Sequence, residues 1–137
     1  MSAAKRPAPS KSSTVTKEDQ DKINRFARLN TKHVDICSDV ADKDRELENY
    51  QEAASSIEEL ELTSEEGDVI PYRVGDVFFN FTFADANSRL EVEKIELEEK
   101  KKGRLEEKSE LEAEMKTLKG ELYSKFGDQI NLDPEAD

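Results

Sequence analysis

Apolar or semi-apolar positions recur at alternating steps of four and three along the first half of the chain. They are Leu29, His33, Ile36, Val40, Lys43, Leu47, Tyr50, Ala54 and Ile57, and Phe26 and Ile23 extend the series backward. That 3.5-residue period predicts a helix carrying a coiled-coil seam. Thr16 is expected to open the helix by capping the N–H of Asp19, with Glu18 and Asp19 favoured by the dipole of the first turn. The helix is expected to end near Leu60–Thr63, before Gly67. A second helix is expected to run from a cap at Asp85 or Asn87 to Phe126, with Gly127 as its C-cap. Within it, Leu111, Met115, Leu118 and Leu122 keep a four-three-four spacing. Further back, the same frame puts Lys108, Arg104, Lys101 and Lys94 on the seam beside Leu97 and Leu90, whereas Ile95 and Leu105 fit a shifted frame. A stutter is therefore expected around Lys100–Arg104, where Gly103 also lowers helix propensity.

Between the helices the period changes to two. Residues 69–83 are the strand-like stretch, and Gly75-Asp76 suits a two-residue hairpin loop with Gly at a position of positive φ. Folding back on that loop sets Val74 against Val77, Tyr72 against Phe79 and Ile70 against Phe81, all six on one face. Arg73, Asn80 and Thr82 fall on the other face, with Phe78 as the exception. A lone hairpin is marginal in water, and the adjoining helix turns are rich in Lys, Glu and Asp. The six residues Ile70, Tyr72, Val74, Val77, Phe79 and Phe81 are therefore expected to form a subunit interface; folding onto the chain's own helices is the alternative. Pro71 falls at a non-hydrogen-bonded pair, so its missing N–H faces outward, and a neighbouring strand is expected to pair through residues 77–83 or to avoid Pro71.

Composition narrows the fold class. With 137 residues, 34% hydrophobic and 39% charged, the core has to be a thin seam, and the Glu/Lys enrichment suits long helices. The expected architecture is mainly α: a long antiparallel two-helix coiled coil with a single β-hairpin at the turn. Its parts are a flexible N-terminal tail over 1–15, a coiled-coil domain over 16–127 (helix 16–62, hairpin 69–83, helix 85–126) and an acidic tail over 128–137. Two helices of similar length and a tight reversal bring the outer helix ends together. Those ends are apolar: Ile23, Phe26 and Leu29 on one side; Leu118, Leu122, Tyr123 and Phe126 on the other, with Ile130 and Leu132 beyond.

The net charge of −12 and the lack of a basic stripe argue against nucleic acid as a ligand. The apolar runs are too short for a membrane span, and no secretory signal opens the chain, so a cytoplasmic location is expected, with a nuclear pool left open. The sequon Asn80-Phe81-Thr82 carries little weight without a secretory route. His33 and Cys37 have metal-ligand spacing, yet two ligands close no site, and His33 suits a register-setting seam position. No phosphate loop is present, and a seam fold offers no cleft to tune carboxylates. Neither catalytic residues, a cofactor nor a metal is expected.

Three blocks resemble the prefoldin subunit family: residues 18–29, beginning Glu18-Asp19-Gln20-Asp21-Lys22-Ile23; residues 70–78, Ile70-Pro71-Tyr72-Arg73-Val74-Gly75-Asp76-Val77-Phe78; and residues 122–132, beginning Leu122-Tyr123-Ser124-Lys125-Phe126-Gly127. One hairpin rather than two resembles the beta type. The resemblance implies a hetero-hexamer with two alpha-type and three further beta-type subunits. Their hairpins would build a central double β-barrel, and six arms would enclose a non-native client. It also implies actin and tubulin as clients, passed to the cytosolic chaperonin without ATP. At the tip, Leu29, Leu118 and Leu122 read first as seam. The expected client-binding set is Ile23, Phe26, Leu122, Tyr123, Phe126 and Ile130, several small apolar contacts suited to weak, promiscuous binding. The alternative is a structural coiled-coil subunit of a scaffold or tethering complex that binds no client.

Overall fold

The computed structural model describes residues 14–132. The expected tails, residues 1–15 and 128–137, lie outside the described residues except for 14–15 and 128–132. Two long helices enclose a two-stranded antiparallel hairpin: α1 (Lys17–Leu62), β1 (Val69–Val74), β2 (Val77–Thr82) and α2 (Phe83–Phe126), followed by a 3-10 turn at Gly127–Gln129. The chain divides into two compact units, one of residues up to Cys37 with those from Glu106 onward, the other Ser38–Leu105.

The first unit starts with a reciprocal cap. The Asp19 N–H donates to Thr16 Oγ1 at 3.1 Å, and the Thr16 N–H donates to Asp19 Oδ2 at 3.0 Å, so two orphan donors of α1 are satisfied together. Phe26, Leu29 and Leu118 form a buried cluster, joined by half-buried Leu111, Met115 and Leu132. Ile36, Leu122 and Phe126 are also buried. Cross-helix pairs run in opposite directions along the two segments: Asp19 with Lys125, Lys22 with Glu121, Arg25 with Glu114 and His33 with Glu112. The helices of this unit are therefore antiparallel.

In the second unit the hairpin register is Ile70↔Phe81, Tyr72↔Phe79 and Val74↔Val77, as the alternation requires. Gly75 has φ +64 and, among the described residues, no non-glycine residue has positive φ, the signature of a turn that needs glycine only at its first loop position. β2 runs directly into α2. Thr82 Oγ1 accepts the Asp85 N–H at 3.1 Å, so Thr82 is the cap rather than Asp85 or Asn87. The earlier start serves packing, because it places Phe83 and Ala86 beside Leu90 on the helix face that meets Ile57 of α1.

The expected stutter is absent. Leu90 and Leu97 are buried, Lys94, Lys101 and Arg104 are half-buried in the same frame, and Ile95 and Leu105 face out. The frame holds because cations have carboxylate partners on α1. Lys101 pairs with Asp44, and Arg104 Nε lies 2.8 Å from Asp39 Oδ2, which also receives Lys43 at 3.0 Å. Their aliphatic stems cover the seam while the charged heads reach outward. The Lys43 and Arg104 bonds hold the Asp39 carboxyl below its ordinary range.

Candidate functional site

Two apolar surfaces stand out, one in each unit. The first is the hairpin. Its inner face curls onto the helices of the second unit, where Ile70, Tyr72 and Phe81 pack against the cluster of Ile57, Phe83, Ala86 and Leu90. The chain thus supplies part of the cover itself, as the alternative reading had it, for Ile70, Tyr72 and Phe81. The Tyr72 and Phe81 rings lie 5.3 Å apart and tilted by 43°, and the Phe79 and Phe81 rings stack at 6.2 Å.

Glu93 fastens this face. Its carboxylate accepts the Tyr50 hydroxyl at 3.3 Å, the Tyr72 hydroxyl at 3.2 Å and Arg89 Nε at 2.8 Å, tying α1, β1 and α2 together. Burial and then the Glu93 charge push the Tyr72 phenol up to about 12, and the same causes raise Tyr50. Sequence reasoning missed this hub. Its signal was the Arg89–Glu93 pair at four-residue spacing beside the seam.

Of the six hairpin residues, Ile70, Tyr72, Val74 and Phe81 are half-buried, while Val77 and Phe79 are exposed, Phe79 by 49%. Phe78, on the opposite face, is 66% exposed. β2 therefore presents three consecutive apolar side chains to both sides. A groove of about 960 Å³, lined by Tyr50, Ala53, Ile57, Tyr72 and Phe78 among others, runs beside it. Pro71 pairs with Asn80, one of the non-bonded pairs when Val74 and Val77 are bonded, so β1 lacks an outward donor in mid-strand. The β2 edge keeps the outward groups of Phe78, Asn80 and Thr82.

The second surface lies in the first unit. Phe26, Leu122 and Phe126 of the expected client set are buried in the seam, while Ile23, Tyr123 and Ile130 are half-buried. Asp19, 5% exposed, is closed over by Lys125, whose ammonium also lies 5.6 Å from the Phe126 ring. The Lys125 bond, then the Thr16 amide, hold the Asp19 carboxyl down to about 2. His33 Nε2 lies 2.8 Å from Glu112 Oε2, lowering the Glu112 carboxyl, and Cys37 Sγ is 3.9 Å from His33 Nδ1. Among the described residues no group of three or more His, Cys, Asp or Glu is arranged to hold a metal ion, and no helix is long and apolar enough to cross a membrane.

The family described as "Prefoldin subunit" matches residues 20–129. The chain is 33% identical over 137 residues to prefoldin subunit 4 of Bos taurus, covering all of this chain and 98% of that protein. It is 32% identical over 137 residues to prefoldin subunit 4 of Homo sapiens, with the same coverage. It is 36% identical over 121 residues to probable prefoldin subunit 4 of Caenorhabditis elegans, covering 88% of this chain and 94% of that protein.

Proposed function

This chain belongs to the prefoldin subunit family, and from that premise we propose that it joins its partners through the hairpin and captures non-native polypeptides through the apolar surface of the first unit. It is a subunit of a prefoldin chaperone complex, with other prefoldin subunits as partners. The finer proposal is a cytoplasmic hetero-hexamer of two alpha-type and four beta-type subunits, with this chain in the place of subunit 4. It holds actin and tubulin chains and passes them to the cytosolic chaperonin without ATP.

The observation that carries the assembly reading is β2 itself, with Val77, Phe78 and Phe79 open to solvent on both faces of one strand. Contiguous exposed apolar surface of this kind marks an interaction site, and the unblunted β2 edge suits pairing with a partner's strand. The client reading is supported by the half-buried apolar side chains around Ile23, Met115 and Tyr123. Several shallow contacts of this size suit many unrelated unfolded chains, with avidity from multiple arms.

The test is aggregation of a denatured actin-like client in the presence of the reconstituted complex. Ile23→Asp combined with Met115→Gln is expected to leave assembly intact and to remove the chain's share of protection. Undiminished protection by an intact variant complex would favour the scaffold alternative.

A further inference from the structure

Where α1 ends, two of its last carbonyls are held by the hydroxyl residues that follow. The Thr63 N–H and hydroxyl both donate to the Leu60 carbonyl, at 3.2 and 3.3 Å. The Ser64 N–H and hydroxyl do the same for the Glu61 carbonyl, at 3.2 and 2.9 Å. The chain then turns. The Glu65 N–H donates to Asp68 Oδ2 at 2.8 Å, Gly67 takes φ +91, and Val69 opens β1. Thr63 is exposed in this turn and Ser64 is half-buried. Between Arg45 and Arg73 the chain has no lysine or arginine, while Glu61, Glu65, Glu66 and Asp68 flank Thr63. The last turn of α1 accordingly lacks the basic residue that the helix dipole would favour there.

An exposed hydroxyl in a turn, with carboxylates two, three and five residues beyond it, fits a protein kinase whose substrate-binding surface is basic. Such an enzyme needs backbone it can hold extended. A turn between a helix and a strand supplies that more readily than a helix interior. Ser55, Ser56, Ser88 and Ser109 also precede a carboxylate by three residues, but each sits inside a helix. Thr16 and Thr82 do so as well, and their hydroxyls are engaged by the Asp19 and Asp85 amides as helix caps. Ser64 has Gly67 at that position. Thr63 combines the acidic context with an exposed turn.

We propose that Thr63 is a phosphorylation site for an acid-directed serine/threonine kinase, and that the phosphate unseats the hairpin. In the transfer, Thr63 Oγ1 attacks the γ-phosphorus of a nucleoside triphosphate. The new O–P bond forms as the bond from that phosphorus to the β,γ-bridging oxygen breaks. The nucleoside diphosphate leaves, and the hydroxyl proton passes to the kinase's catalytic base. The product has lost the hydroxyl that donates to the Leu60 carbonyl, and it adds about two negative charges at the negative end of α1. On the facing helix Lys94 lines a hollow that Glu58 and Glu61 already share, so carboxylates stand beside that cation too. The last turn of α1 is therefore expected to unwind. Ile57, in the preceding turns, belongs to the buried cluster on which Ile70, Tyr72 and Phe81 pack, so the disturbance reaches the seat of the hairpin. Its effect on assembly rests on the reading of the hairpin as the subunit interface.

The reconstituted complex is incubated with magnesium, ATP and a kinase selective for acidic peptides, and fragment masses of this chain locate the phosphate. Phosphate is expected on Thr63. Thr63→Ser is expected to keep it, Thr63→Val to lose it, and Glu66→Gln to slow the transfer roughly tenfold. A kinase selective for basic peptides is expected to leave the position unmodified. In the phosphorylated complex, amides of the last turn of α1 and of β1 are expected to exchange roughly tenfold faster, with those of the first unit unchanged. The phosphorylated chain is expected to leave the complex roughly threefold faster or more in subunit exchange. Helical content identifies a variant that fails to fold, and Thr63→Ser, which keeps the hydroxyl, holds the test open in that case. No phosphate on Thr63, or transfer indifferent to Glu66→Gln, overturns the site. Phosphate on Thr63 with unchanged exchange in α1 and β1 overturns the unseating. If those amides loosen while subunit exchange stays the same, Val77→Asp with Phe79→Asp separates the two failures. Absence of that variant from the complex overturns control of assembly by the phosphate. Its retention shows that the interface reading is what failed.

Discussion

Leu97 and Leu105 lie on the same helix of the same unit, yet the seam frame assigns them opposite fates. Leu97 is 8% exposed and Leu105 is 40% exposed. Truncating either to alanine removes three carbons. At about 0.8 kcal/mol per buried methylene-sized group, Leu97→Ala forfeits about 2.4 kcal/mol, and the residual cavity raises this to about 3 kcal/mol. For Leu105→Ala the partial burial and an already compact unfolded chain reduce the loss to about 1 kcal/mol or less. Alanine's helix propensity offsets only a few tenths in each. Native-state hydrogen exchange on the assembled complex reads the difference locally. Amides around Leu97 are expected to exchange about a hundredfold faster in Leu97→Ala, against at most about fivefold around Leu105 in Leu105→Ala. If Leu105→Ala is the costlier change, the seam follows the shifted frame, and the charged pairs at Lys101 and Arg104 do not hold the register.

Asp19 carries a depressed folded-state pKa, so its contribution to stability is complete above about pH 4 and is lost as pH falls toward about 2. Asp19→Asn should remove that part of the acid transition in the protection of the first turns of α1. The Tyr72 phenol, with its folded pKa raised to about 12, favours the docked hairpin below about pH 10, an advantage that fades as pH climbs toward 12. Glu93→Ala should bring the Tyr72 ionisation seen by ultraviolet titration down, and should speed exchange in β1, because both tyrosine hydroxyls lose their acceptor. On the β2 edge, a proline at Asn80 should weaken assembly far more than alanine at Pro71, measured by subunit exchange in the complex, since β1 already lacks that donor.

What could be read from residues alone was whatever depends on local period. The α1 seam from Phe26 to Ile57, the Thr16 cap and the pairing of Tyr72 with Phe79 all follow from spacing and one loop. What depends on distant partners was not legible. Lys101 and Arg104 look like seam-breakers until Asp44 and Asp39 stand opposite them. Phe83 reads as the last hairpin residue because the two-residue period reaches it, but it is the first residue of α2, where period 3.6 takes over and its packing on Ile57 decides. The six hairpin residues share a face as expected. Only the curl of that face onto Leu90 and Ala86 determines that Tyr72 is covered while Phe79 is left open. In the same way, Phe126 looks like an exposed terminal aromatic, but it is buried in the seam.

The claim on which most rests is that β2 is incomplete without a neighbour. At 49% and 66% exposure, Phe79 and Phe78 together leave roughly 200 Å² of surface to cover, on the order of 5 kcal/mol if an assembly buried it fully. Native mass spectrometry of this chain co-expressed with the other prefoldin subunits tests it most directly. The chain carrying Val77→Asp and Phe79→Asp is expected to be missing from the complex and to appear as a helical monomer. A complex of unchanged mass that still contains the doubly substituted chain would contradict the account.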